Sequence, residues 1–164
     1  MNIIEEISKV YNDNKNIILF LDMDGTIIEL LFNSEESFRK KDEYMKKKPI
    51  KPIIEIIKKI NIQFPLIKIN ILSYSQTNEM IKAKDEWLNK YLQDIKLNDR
   101  IFLCEETGDY TQENINYIKS QYIKNNLKEN EIAILIDDDI RILLAAKEIL
   151  KDRILPYHVT SLLI

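Results

Sequence analysis

Three stretches put carboxylate or hydroxyl side chains where apolar runs end. IILFLD (17–22) runs into Asp22-Met23-Asp24-Gly25-Thr26, LIKINILS (66–73) into Ser73-Tyr74-Ser75, and IAILID (132–137) into Asp137-Asp138-Asp139. A continuous apolar run closed by an acid reads as a buried strand that surfaces at its carboxyl end, holding the acid rigidly but within reach of water. Asp24 lies two residues beyond Asp22 and can return to the same side of a site, with Gly25 free to turn the backbone at positive φ. Two acidic clusters facing each other would repel. A hard divalent cation such as Mg²⁺ relieves that repulsion, because it takes oxygen ligands and keeps waters for a phosphate to replace.

The elements that must hold these residues follow from the apolar pattern. Helices are expected over 3–11, from Pro49 and Pro52 to about Ile60, over 77–92 with Thr77 as N-cap, over 112–127, and over IRILLAAKEIL (140–150). Strands are expected at 17–22, 66–73, 101–104, 132–137 and near 157–160; residues 27–49 show no clear period. Strands alternating with helices imply parallel βαβ units in an α/β fold, with both faces of the sheet covered. Ligands in such folds sit at the carboxyl ends of the strands, near the topological switch point.

Composition narrows the chemistry. The 164 residues include only two glycines, Gly25 and Gly108, which excludes a Rossmann fingerprint or a Walker A loop. The 31 isoleucines and 20 lysines make any single Ile or Lys a weak hint. One cysteine, Cys104, allows no internal disulfide and suits a reducing cytoplasm. Glu5 and Glu6 argue against a signal peptide, and no apolar run approaches the ~18 residues of a membrane span. The net charge of −3 hides seven basic residues between Arg39 and Lys51, read either as a solvated face or as a positive rim that steers an anionic substrate.

LFLDMDGTI, ILSYS and ILIDD together resemble the first, second and fourth motifs of the haloacid dehalogenase (HAD) superfamily, in its phosphatase branch. YMKKKPIKPIIEIIKKI, KDEWLNKYL and KSQYI extend the resemblance to the 5'(3')-deoxyribonucleotidase-like group. The resemblance implies one HAD-like, Rossmannoid three-layer sandwich over residues 1–164. It also implies strand order 5-4-1-2-3 and a small cap insertion at 27–49. It implies a Mg²⁺-dependent phosphomonoesterase in which Asp22 attacks phosphorus and Asp24 serves as acid and base, with a raised pKa for Asp24 and Asp22 kept ionised against the metal. Thr26 would hold Asp24 and take part in the phosphate-binding set, in which Ser73, the Tyr74 N–H and a lysine would bind the phosphoryl group. Lys119, 18 residues before Asp137, fits that lysine best, with Lys84 as rival. Asp22, the Asp24 carbonyl, and Asp137 or Asp138 would hold the metal.

The expected substrate is a small phosphate ester, a nucleoside monophosphate foremost. A 3'-phosphorylated polynucleotide, a phosphoprotein, or a non-catalytic regulatory role are the alternatives. The chain departs from the group at Ile142, where an asparagine is usual, and in its short cap. His158, Cys104 and the stripe Trp87, Leu88 and Tyr91 read as structural. Phe32, Phe38 and Tyr44 are open either to stacking on a base or to packing the cap.

Overall fold

The computed structural model describes residues 3–13, 16–30 and 41–163. In chain order the elements are α1 (Ile3–Asn12), β1 (Asn16–Leu21), α2 (Lys41–Lys46), α3 (Lys51–Gln63), β2 (Lys68–Ser75), α4 (Asn78–Tyr91), β3 (Leu97–Cys104), α5 (Ile115–Asn126), β4 (Glu131–Asp137), α6 (Ile140–Leu150) and β5 (Ile154–His158), with a 3₁₀ turn on each side of β5. The five strands form one parallel sheet in the order β3-β2-β1-β4-β5, which read from the other edge is 5-4-1-2-3.

The central strands β1 and β4 are almost entirely apolar because alternate residues enter different cores. Ile17, Leu19, Leu21, Ile134 and Ile136 pack with Ile53, Ile57, Ala83 and Trp87 of α3 and α4 on one face. Ile18, Phe20, Ala133 and Leu135 pack with Ile123, Leu143 and Ala146 of α5 and α6 on the other. Helix α1 belongs to the first face: Ile3 and Ile7 are buried there, and the Tyr157 hydroxyl donates to Glu6. No helix among the described residues is long and apolar enough to cross a membrane.

Several boundaries differ from the sequence expectation, each for a local reason. Helix α5 begins at Ile115 rather than 112, since Thr111 and Asn114 close a turn on each other. Strand β3 starts at Leu97, four residues early, and its polar half (Asn98, Asp99, Arg100) is tolerated at a sheet edge. Strand β5 is the other edge and accommodates Pro156. Within the region without a clear period, α2 is six residues long, too short for one to emerge. Of the expected cap, residues 31–40, including Phe32 and Phe38, lie outside the described residues.

Register positions the site. Leu21 lies beside Ile71 and Ile136, so Asp22 and Asp137 leave the sheet side by side, with Ser73 close by on β2. The Asp22 N–H still donates to the Ile136 carbonyl at 3.0 Å, which carries the sheet's rigidity one residue past the strand.

Candidate active site

Asp22 and Asp137 are both buried, and the Lys119 ammonium bridges them: Nζ lies 2.6 Å from Asp22 Oδ1 and 2.7 Å from Asp137 Oδ2. Lys119 enters from the buried face of α5, over the Tyr74 ring at 4.9 Å, while the Tyr74 hydroxyl accepts from the Lys119 N–H. Burial opposes the lysine's charge, but Asp137 and Asp22 hold the ammonium well above its usual pKa. Burial pushes the Asp22 carboxyl up to about 7; Lys119 pulls it down, and the Asp137 charge adds to the rise.

Asp24 has the opposite environment. Lys84 Nζ lies 2.8 Å from its Oδ2 and Lys47 Nζ 2.9 Å from its Oδ1. Burial alone would raise this carboxyl, but the two lysines outweigh it and hold it at about 2. Without a metal, Asp24 is lowered rather than raised as expected, because two ammoniums serve it and only one serves the buried Asp22–Asp137 pair; the ionised Asp22 was expected only against a bound metal. Lys84 also donates to Ser73 Oγ at 2.9 Å and to the Tyr74 carbonyl. Tyr44 is fully buried, with the Lys47 ammonium 4.4 Å from its ring centroid, so it packs the interior and presents no face to a base.

Thr26 is corrected as well. Its hydroxyl faces Asp22 Oδ2 at 3.4 Å rather than Asp24. The turn after β1 causes this: the N–H groups of Thr26, Ile27 and Ile28 all donate to the Met23 carbonyl, curling Thr26 back under the strand end. Thr26 is fully buried and does not line the cleft.

Oxygens of Asp22, Asp137 and Asp138 lie within 4.8 Å of one another, a hard-oxygen donor set that fits Mg²⁺. Gly25 is part of that fit. Its φ is +79°, and a Cβ there would stand 2.2 Å from Asp138 Oδ2, so only glycine lets the first acidic loop approach the second. On the far side His158 donates from Nε2 to the Asp138 carbonyl at 2.9 Å, a structural role. Asp139 caps α6 by accepting from the Arg141 N–H, and its own N–H donates to Asp137 Oδ1. The Asp24 carboxylate is outside the donor set, leaving its backbone carbonyl as the group for which a metal role was expected.

These residues border a cleft of about 390 Å³ lined by Asp22, Asp24, Ser73, Tyr74, Lys119, Asp137 and Asp138, with Gln112, Asn116 and Arg141 at its wall. Both lysine candidates are therefore at the site, but only Lys119 lines the cleft; Lys84 lies behind Asp24 and Ser73. Lys47 was not anticipated. It stands in the basic run, three of whose seven members are paired: Lys41 with Glu86, Lys46 with Glu43 and Lys47 with Asp24. Cys104 and Trp87 are buried, and the indole N–H donates to the Lys47 carbonyl at 3.0 Å.

The chain matches no protein-family model and no curated protein sequence. Solved structures do resemble it. A chain in the structure of the Pnkp1/Rnl/Hen1 complex superposes with a TM-score of 0.65 and 19% identity, over 88% of this chain but 46% of that one. The HAD domain of the effector protein Lem4 from Legionella pneumophila gives 0.53 and 20% identity over 88% and 85%. Its inactive mutant gives 0.53 and 19% over 88% and 84%. At such identities the likeness is one of architecture: the five-stranded parallel sheet with helices on both faces is the fold of a HAD domain.

Proposed function

We propose that this protein is a Mg²⁺-dependent phosphomonoesterase of the HAD type, acting on a small phosphate ester such as a nucleoside monophosphate. The observation that carries the reading is the Asp22–Lys119–Asp137 bridge at the mouth of two adjacent strands, with Asp138 close enough to complete a cation site. The carboxylates of Asp22, Asp137 and Asp138 and the Asp24 carbonyl would hold the ion. Bound there, Mg²⁺ supplies positive charge to the transferring phosphoryl group and lowers the cost of ionising Asp22.

Asp22 attacks phosphorus in line; the bond to the leaving oxygen breaks and an aspartyl-phosphate forms. Lys119 and Ser73, both lining the cleft, neutralise and orient the phosphoryl oxygens, with the Tyr74 N–H beside them. Asp24 relays a proton to the leaving oxygen, then takes one from the water that hydrolyses the intermediate. Because Lys47 and Lys84 hold Asp24 ionised, the first proton enters with the ester, whose monoanion carries one near pH 6. Thr26 steadies the nucleophile.

The test is phosphate release with Mg²⁺ from nucleoside 5'- and 3'-monophosphates, sugar phosphates and a 3'-phosphorylated oligonucleotide. Release that disappears in Asp22→Asn is expected; no release from any ester overturns the reading. One observation favours a larger polyanion as second reading: Arg141, 71% exposed, stands at the cleft wall. A KM that rises steeply with salt for the oligonucleotide alone would select it.

A further inference from the structure

Lys47 reaches the site from a segment that is built to deliver it. After α2 the chain folds against the turn that follows β1. Glu29 N–H donates to the Lys48 carbonyl at 3.0 Å and Ile50 N–H to the Ile27 carbonyl at 2.8 Å, around an antiparallel bridge between Ile28 and Pro49. The Lys48 N–H donates in turn to Glu29 Oε1. The buried Trp87 indole then pins the Lys47 carbonyl, and the Tyr44 ring backs its ammonium. Lys47 is 3% exposed and does not line the cleft, so it cannot touch substrate held there; what it touches is Asp24 Oδ1.

Stability is a poor reason to bury this lysine. Desolvating an ammonium is expensive, and well-packed apolar residues generally replace buried ion pairs with no loss. Nor is it needed to bring charge to the site, which Lys119 and Lys84 already do. Its distinctive effect is geometric. Lys84 holds Oδ2 and Lys47 holds Oδ1, so the carboxylate is fixed at two points and its plane cannot turn.

We infer that Lys47 is a positioning residue for proton transfer at Asp24, and that the 47–50 segment ties this geometry to the insertion following β1. The inference rests on the phosphatase reading above. Its readout is the dependence on leaving group, since an alkoxide needs protonation to depart and a nitrophenolate barely does. The comparison uses kcat/KM, which reports only steps up to departure of the leaving group, for an alkyl phosphate and for p-nitrophenyl phosphate with saturating Mg²⁺.

Lys47→Met, which keeps the bulk and removes the charge, is expected to lower kcat/KM for the alkyl ester by roughly 10–100-fold, the scale of a misplaced proton-transfer group. The nitrophenyl ester should change by less than about threefold on the same reasoning. Trp87→Phe, which removes the indole donor together with some core volume, should repeat the bias more weakly, the lost volume lowering both esters alike, and its ester bias decides the matter if Lys47→Met does not fold. Lys82→Met removes the same charge from an exposed position on α4 away from the segment and should leave both esters unchanged. An equal loss on both esters, or no loss on either, overturns the inference while leaving the phosphatase intact. A wild-type protein that releases phosphate from no ester overturns both.

Discussion

Asp22 and Asp24 are two residues apart, share one loop and are both in contact with lysine, yet the structure drives them in opposite directions. Around Asp22 the carboxylates of Asp137 and Asp138 cluster against the single ammonium of Lys119, and burial lifts its carboxyl to about 7. Around Asp24 two ammoniums face one carboxylate, and it falls to about 2. The first cluster lacks positive charge and the second has it in surplus. That difference marks the first as the place for an added cation. The second is a self-sufficient clamp, complete without any ligand. In the reaction proposed above, Asp22 then depends on an added cation for its ionisation, and Asp24 on a proton brought by the substrate.

The comparison breaks most visibly in activity. Asp22→Asn should abolish phosphate release at any Mg²⁺ concentration, because no other described carboxylate takes its place at the end of β1. Asp24→Asn should lower turnover by roughly 10²–10⁴-fold, the usual worth of a general acid and base, with little change in KM. If the two variants lost activity equally and both were rescued by higher Mg²⁺, the division of labour would be wrong. Steady-state kinetics across a Mg²⁺ titration separate these outcomes.

Gly25→Ala sharpens the comparison from the backbone side. The new Cβ would stand 2.2 Å from Asp138 Oδ2 and 2.6 Å from its Cγ, at a φ of +79°. The carboxylate must swing away, which removes a donor from the first cluster but does not touch the lysine clamp. Expected are a destabilisation of about 1–3 kcal/mol from the strained backbone and a several-fold higher Mg²⁺ requirement. Thermal unfolding and the Mg²⁺ dependence of kcat test the two parts separately.

How much of this was legible in the sequence depends on where each residue sits. Asp22, Ser73 and Asp137 could be read because each closes an apolar run, and the parallel register then sets those ends together. The resemblance put the Thr26 hydroxyl on Asp24; its spacing of four from Asp22 was the better guide once the turn curls back on Met23. The choice between Lys119 and Lys84 looked open because lysine is so common here, but each carries a signal. Lys84 lies on the buried stripe of Met80, Ala83, Trp87 and Leu88, and Lys119 on that of Ser120 and Ile123. A lysine on an apolar helix face has to find a buried partner. Lys47 had no such signal. It follows a six-residue helix without a readable period, and its place is set by contacts with residues 27–29 and Trp87, far away in the chain.

The smallest predicted effect needs no substrate. In metal-free protein Asp22 binds its proton more tightly folded than unfolded, about 7 against 3.8, so its contribution to stability is full at acid pH and is lost as pH rises through about 7. Asp24 behaves inversely: with about 2 folded against 3.8 unfolded, its contribution is present above the unfolded value and is lost as pH falls toward 2. Melting temperatures with a chelator present should therefore decline between about pH 4 and pH 7 through Asp22, at roughly 2–4 °C per kcal/mol for a chain of this size. Asp22→Asn should flatten that decline and melt higher than wild type at pH 8, whereas Asp24→Asn should melt lower, because it leaves two buried ammoniums facing a neutral amide. Adding Mg²⁺ at pH 8 should raise the wild-type melting temperature and leave Asp22→Asn nearly unmoved, since the ion binds the folded state through the carboxylate that variant lacks. A wild type indifferent to both pH and Mg²⁺ would mean that Lys119 already balances the first cluster, and the contrast between the two aspartates would then be one of position alone.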